Sequence, residues 1–252
     1  MLQLQDIVYT VPDGKGRKTI LDGVNLTFQD GERIVITGHN GSGKTTLAKI
    51  IMGIIKPDKG RVILNGEDIT KLDITARAKK GIGFAFQQPV RFKGLTVGDL
   101  LQVAHGRFAL RSELCEYLSA VGLCAADYLD RELSDELSGG ELKRIEIAMA
   151  LLRDCAVTVF DEPEAGIDLW SFDNLIDAFD TLKGEKRVTI IISHQERVMQ
   201  SADQLVVMKA GQVQQIGSPA TVLKEIRTDA PCAKLQRSKK WVWNLVLWNT
   251  VY

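Results

Sequence analysis

No stretch of this chain constrains its fold as tightly as Gly38-His39-Asn40-Gly41-Ser42-Gly43-Lys44-Thr45-Thr46. Before it, Arg33-Ile34-Val35-Ile36-Thr37 is short and mostly apolar and reads as a strand; after it, Leu47-Ala48-Lys49-Ile50-Ile51-Met52 reads as the opening of a helix. Strand, glycine-rich loop, Gly-Lys-Thr and helix, in that order, make the P-loop pattern in the context it requires. Glycines at 38, 41 and 43 let backbone N–H groups turn inward around phosphate oxygens, and the helix adds its positive N-terminal end. Lys44 supplies a point charge for β- and γ-phosphates, and the Thr45 hydroxyl can hold Mg²⁺. Asn40, Ser42 and Thr46 complete the expected nucleotide contacts of the loop.

Composition acts mainly by exclusion. At 252 residues the chain is one large domain, or one domain with a subdomain. Its net charge is zero, which gives no electrostatic footprint for nucleic acid or an acidic membrane surface. Cys115, Cys124, Cys155 and Cys232 have no close paired spacing, which argues against a disulfide framework or a zinc site and fits a reducing compartment. The N-terminus lacks a basic region followed by an apolar core, so no secretory signal is expected. With no run of about 18 apolar residues, no transmembrane helix and no direct membrane insertion are expected. The expected location is the cytoplasm.

In chain order, Leu2 to Tyr9 alternates and reads as a strand, and Pro12-Asp13-Gly14-Lys15-Gly16 reads as a turn. Val24 to Phe28 gives further strand, closed by Asp30-Gly31 as a hairpin-type turn before the P-loop strand. Tyr9 in this β-rich part is either a half-buried strand residue or an aromatic that stacks on a purine base. The P-loop helix is expected over 45–55, and Arg61 to Leu64 and Ile82 to Phe86 read as strands. From about Gly94 to Leu133 apolar residues fall at helical spacing (Leu100, Leu101, Ala104; Leu114, Leu118, Val121), so a helical insert is expected.

Beyond the insert, Leu137-Ser138-Gly139-Gly140-Glu141 opens a helix to about Arg153, with Ser138 at the N-cap. This glycine-rich helix start is a second candidate anion site. Ala156 to Phe160 is a buried-strand run that ends in Asp161-Glu162-Pro163, and Val188 to Ile192 is another that ends in Ser193-His194. Paired carboxylates at a strand's C-terminal end suit Mg²⁺ coordination and activation of a water. The P-loop, Gln87, Asp161-Glu162 and His194 thus all follow strands, and in an open α/β sheet such positions share one rim. The Ser138 helix, roughly 13 residues long, would set its loop on the order of 20 Å from Asp161. A two-fold dimer in which each Ser138 loop covers the other chain's nucleotide resolves this arrangement. The tail holds Trp241, Trp243 and Trp248 after Arg237, Lys239 and Lys240, and reads as a docking or packing segment or an interfacial anchor, too short to span a bilayer.

Taken together, Gly38-to-Thr45, Gln87, Leu137-to-Glu141, Val157-to-Glu162, Ala165-Gly166-Ile167-Asp168 and His194 resemble, in order and spacing, the motifs of ABC-type ATPase domains over about residues 2–227. That resemblance implies an α/β fold: a P-loop ABC ATPase core with an N-terminal antiparallel β-subdomain and an inserted α-helical subdomain at about 90–153, within an ATPase domain of residues 1–235. Residues 236–252 form the Trp-rich tail. It also implies roles. Tyr9 resembles the adenine-stacking aromatic, Gln87 the glutamine that links Mg²⁺ to the helical subdomain, and Asp161 the Mg²⁺-holding aspartate. Glu162 resembles the catalytic glutamate and His194 the γ-phosphate switch. Ser138, Gly139 and Gly140 resemble the signature that acts on the partner's ATP, and Asp168 the interface aspartate of an ATP-driven homodimer.

The branch is carried by other residues. Transporter members usually continue the signature with Gln and an Ile-Ala-Arg-Ala-Leu run. Here Gly140-Glu141-Leu142-Lys143-Arg144-Ile145-Glu146, with Phe86-Gln87-Gln88-Pro89-Val90, is similar to the SufC-type ATPase of the SUF iron–sulfur assembly system, and Asp161-to-Phe172 resembles its short two-component version. The expected partner is a SufB-like soluble scaffold; the alternative is a membrane permease that grips the Gln87 region. His39 replaces the usual proline of the loop.

Overall fold

In the computed structural model, which describes residues 1–14, 16–85, 94–133, 137–167, 172–181 and 187–229, the P-loop lies between two sheets of different construction. The first is antiparallel and runs in the order β2 (Gly16–Phe28), β1 (Leu2–Asp13), β4 (Lys59–Leu64), β5 (Glu67–Asp68). The second runs β10 (Gln212–Gly217), β9 (Gln204–Lys209), β3 (Arg33–Thr37), β8 (Val188–Ile192), β7 (Val157–Asp161), β6 (Ile82–Ala85). Its five strands from β9 to β6 are parallel, and β10 joins β9 as an antiparallel hairpin. Asp30-Gly31 is therefore not a hairpin turn. β2 pairs with β1, while β3 pairs with β8 and β9, so these two residues carry the chain from one sheet to the other. Gln87, Asp168 and the tail 236–252 lie outside the described residues.

Strands β3, β7 and β8 are buried at every position, as expected of parallel strands covered on both faces. Their side chains divide by parity. Ile34, Ile36, Val157, Val159, Ile190 and Ile192 join the core shared with the antiparallel sheet and the P-loop helix α1 (Lys44–Met52). Val35, Phe160 and Ile191 point the other way, into a second core built with the helices. Two-residue periodicity thus makes one sheet the floor of two cores.

The insert consists of α3 (Val97–His105), α4 (Arg111–Ala120) and α5 (Ala125–Tyr128), followed by α6 (Gly139–Leu152). α3 starts with a Thr96/Asp99 capping box, and the insert adds Leu101, Leu114, Leu118 and Leu133 to the second core. The two ends of the insert meet: Thr96 bridges to Glu132, and Leu133 N donates to Leu95 O at 2.9 Å. On the far side of the sheet from β6, α8 (Glu196–Gln200) and α9 (Pro219–Asp229) complete the described chain, and α7 (Phe172–Thr181) packs Phe179 edge-on to Phe160, 5.0 Å between centroids.

α1 ends at Met52, earlier than its apolar run suggests, because Gly53 adopts a left-handed φ of 83° and caps it. The reason lies in α2 (Ile74–Lys79), a short helix that the residue pattern does not announce. Arg77 on α2 is fully buried; it donates to Ile50 O at 2.6 Å and Ile51 O at 2.8 Å on α1, and to Thr70 O and Leu72 O. A Cβ on Gly53 would lie 2.9 Å from Arg77 Nε. The guanidinium therefore satisfies carbonyls at the negative end of the P-loop helix, and burial lowers its pKa to about 10. Arg77→Met removes the guanidinium's bonds to four carbonyls and leaves Ile50 O with only the Gly53 N–H; a loss of about 3 kcal/mol or more is expected in urea unfolding.

Candidate nucleotide site

Three of the four loops assigned from sequence to one rim do share it. β3, β8 and β7 are adjacent and parallel, so their C-terminal ends lie side by side. Backbone bonds continue past the strands: Ser193 N donates to Ile36 O at 3.2 Å and Glu162 N to Ile192 O at 2.9 Å. The fourth loop, with Gln87, falls outside the described residues.

The P-loop glycines are not equivalent. Gly38, at φ 140°, would set a Cβ 2.0 Å from Met208 O, and Gly43, at φ 101°, one 2.6 Å from Leu21 Cδ2. Gly41 has open space and is required only by its φ of 79°. Lys44 Nζ donates to Gly38 O at 2.7 Å and His39 O at 3.1 Å, so the ammonium is held over the loop. Burial lowers its pKa, with Glu162 and Asp161 opposing. α1 has no acidic residue in its first turn, which leaves the positive helix end to an anion. Asn40 is exposed, and Ser42 is buried with its Oγ unpartnered among the described residues.

Thr45 and Asp161 are brought together: Thr45 Oγ1 lies 3.4 Å from Asp161 Oδ1. Asp161 is buried, which pushes its carboxyl up; the Thr45 hydroxyl bond opposes this and the Glu162 charge adds to it. A buried carboxylate beside a hydroxyl is a hard-oxygen donor pair of the kind Mg²⁺ takes together with phosphate oxygens, so these residues fit that ion.

Glu162 follows at φ 48°, a left-handed conformation uncommon for a residue with a side chain. Its Oε1 lies 3.7 Å from His194 Nε2. His194 has its pKa lowered by burial, then by the Lys44 charge, against an upward pull from Glu162, so the imidazole is neutral near pH 7. The two loops are locked by a pair the sequence reading passed over. Ser193 Oγ donates to Glu164, and Gln195 N donates to Ser193 Oγ at 3.0 Å. From sequence Ser193 reads only as the end of a strand; its position between a buried strand and His194 is the available signal. His39 shares with His194 a cavity of about 460 Å³ that Met199, Met208 and Lys209 also line. Tyr9 is half-buried, packs on the core shared with the antiparallel sheet and pairs across from Leu21, the residue that touches Gly43.

Ser138 does cap α6, through a full capping box with Glu141: Glu141 N donates to Ser138 Oγ at 3.2 Å and Ser138 N to Glu141 Oε2 at 2.7 Å. Tyr128 donates its hydroxyl to the other carboxylate oxygen, Oε1. That bond, with those from Ser138, holds the Glu141 carboxyl down at about 2. Gly140 packs on the backbone of the next loop, since a Cβ there would lie 2.6 Å from Gly166 O; Gly139 has open space around it. Gly166 follows Asp161 by only five residues, so the length of α6 alone does not measure the separation of the signature from the acid pair. The offset from the P-loop is lateral: α6 packs on β6, three strands from β3, or about 14 Å. Ser138 and Gly139 are exposed there.

Comparison with known proteins agrees with this geometry. The family described as ABC transporter matches residues 21–165. An uncharacterized ABC transporter ATP-binding protein of Methanocaldococcus jannaschii is 39% identical over 88% of this chain and 90% of its own length. A sulfate/thiosulfate import ATP-binding protein of Pseudomonas aeruginosa is 34% identical over 83% of this chain, which spans 65% of that relative. Among solved structures, a dimeric bacterial ABC transporter cassette superposes with a TM-score of 0.79 at 26% identity, over 87% of this chain and 99% of that one. A dimeric cassette in a post-hydrolysis state, bound to ADP and phosphate, gives 0.77 at 25%, with the same coverage.

Lys44→Ala removes the loop's only cation at the phosphate position; a loss of nucleotide affinity of roughly 100-fold is expected by fluorescence titration with a labelled ATP. Glu141 contributes stability that is complete above its ordinary pKa of 4.5 and is lost as pH falls toward about 2. Glu141→Gln should therefore melt below the native chain at pH 7, and the gap should close between pH 4.5 and 2 in thermal unfolding.

Proposed function

The chain belongs to the ABC transporter family of ATP-binding cassettes, and from that premise we propose that it is a Mg²⁺-dependent ATPase whose two copies close head-to-tail around ATP. The observation that carries the reading is the rim itself: Thr45 beside Asp161, and Glu162 beside a neutral His194, next to the P-loop lysine. The phosphates would lie on the P-loop N–H groups and Lys44, with Thr45 and Asp161 holding Mg²⁺, which when bound neutralises charge on the β- and γ-oxygens. Glu162 orients a water and takes its proton as the water oxygen bonds to the γ-phosphorus and the bridging P–O bond to ADP breaks. His194, uncharged, faces the same place and serves as the γ-phosphate contact. Gln87 is assigned the link to the helical subdomain, and Tyr9 a stacking contact to adenine. Exposed Ser138 and Gly139, offset across the sheet, are left to a second copy's nucleotide, together with Asp168.

For the coupled partner, the names of the relatives favour a membrane permease, with this chain as its ATP-binding subunit. No described helix is long and apolar enough to cross a membrane. A second reading, a SufB-like iron–sulfur scaffold as partner, rests on the Lys143-Arg144-x-Glu146 run. Lys143 is fully buried and pairs with Glu146 at 3.3 Å, an unusual use of a lysine straight after the signature. Affinity purification from the native source separates the two: recovery with an integral membrane protein supports the permease, and recovery with a soluble iron–sulfur protein supports the scaffold.

Glu162→Gln is expected to bind ATP as the native chain does, to lose at least about 100-fold in turnover, and to accumulate as an ATP-bound dimer in light scattering. Native turnover in that variant would remove Glu162 from its role.

A further inference from the structure

The capping box at Ser138 is local, three residues across, but its carboxylate has a third partner from elsewhere in the chain. Tyr128, the last residue of α5, donates its hydroxyl to Glu141 Oε1 while Oε2 takes the Ser138 N–H. The Arg131 guanidinium stands 5.1 Å from the centre of the Tyr128 ring and 3.9 Å from Glu141 Oε1, and so holds both members of the pair. The ring packs against the helical core, and the turn after α5 is bonded to the start of α3 through Gly98 N to Leu129 O at 2.8 Å. A continuous strut of ring packing, hydroxyl, carboxylate and N-cap runs from the insert to the exposed Ser138, and none of these residues is part of the P-loop rim.

We propose that Tyr128 is a positioning residue for the nucleotide of the second copy: by fixing Oε1 of Glu141, whose Oε2 takes the Ser138 N–H, it holds Ser138 and Gly139 in the one arrangement that the other chain's nucleotide meets. The inference rests on the head-to-tail reading above. Only the phenolic oxygen is at issue, because Tyr128→Phe keeps the ring, its packing and its contact with Arg131. Without that donor, Glu141 Oε1 keeps only the Arg131 charge at 3.9 Å and, with Glu141 18% exposed, can turn toward water, so the capping box loses its outer hydrogen bond. The cost falls on assembly of the composite site and not on binding of ATP by one chain.

The test is made in the Glu162→Gln background with ATP and Mg²⁺, by sedimentation over a range of protein concentrations. Addition of Tyr128→Phe is expected to weaken ATP-dependent dimerisation about tenfold with single-chain affinity for a labelled ATP unchanged, while the melting temperature falls no further than that of Glu141→Gln. In otherwise native protein, Tyr128→Phe should lose ATPase activity at low protein concentration and regain it as concentration rises. If Glu162→Gln dimerises and the double variant matches it, this proposal is wrong and the dimer reading stands. If Glu162→Gln itself stays monomeric, both fall. A parallel drop in single-chain ATP affinity, or a melting temperature well below that of Glu141→Gln, would reduce Tyr128 to a fold residue and overturn the proposal.

Discussion

The P-loop is held by backbone-to-backbone approach from both sheets, and the rest of the site depends on that contact. Gly38 touches the Met208 carbonyl on β9, and Gly43 lies against the Ile20 carbonyl and the Leu21 side chain on β2. Gly211, in the turn after β9, donates to Ser42 O at 3.2 Å and accepts from Asp22 N at 3.0 Å. One turn therefore joins the loop, the parallel sheet and the antiparallel sheet. Any side chain at Gly38 or Gly43 would force the sheets apart, which makes sterics, before any phosphate chemistry, the reason those glycines are needed. Arg77 secures the far end of the same helix, so α1 is anchored at both termini.

From this anchor the parallel strands carry the remaining groups to the rim. Parity sends Ile34, Val159 and Ile190 to one core and Val35, Phe160 and Ile191 to the other, so the sheet is buried on both faces and its register is fixed. Fixed register is what sets Asp161 against Thr45 and Glu162 near His194. The electrostatics follow from position: burial raises Asp161 and lowers Lys44 and His194, each moved toward its neutral form in a place where phosphate and metal charge would offset the cost.

Much of this was legible in the residues. Buried-strand runs ending in Asp161-Glu162 and Ser193-His194 named their own rim, and Ser138 named its own cap, because strand ends and N-caps are local signals. Asp30-Gly31 misled because a turn signal says that the chain reverses, not which sheet it rejoins. α2 and α8 are too short for a periodic pattern. Arg77 and Tyr128 could not be read at all: an arginine on a short polar stretch looks solvated until the helix end it caps is beside it.

By itself the sequence determined the phosphate loop, the acid pair, the signature cap and the two-sided burial of the strands, since each is written in neighbouring residues and their periodicity. Tertiary structure decided which strands lie side by side, that the signature stands across the sheet from the P-loop, and that Glu141 is held by Tyr128 and α1 by Arg77. Those facts join residues far apart in the chain, and only the packing of the two cores brings them within hydrogen-bond reach.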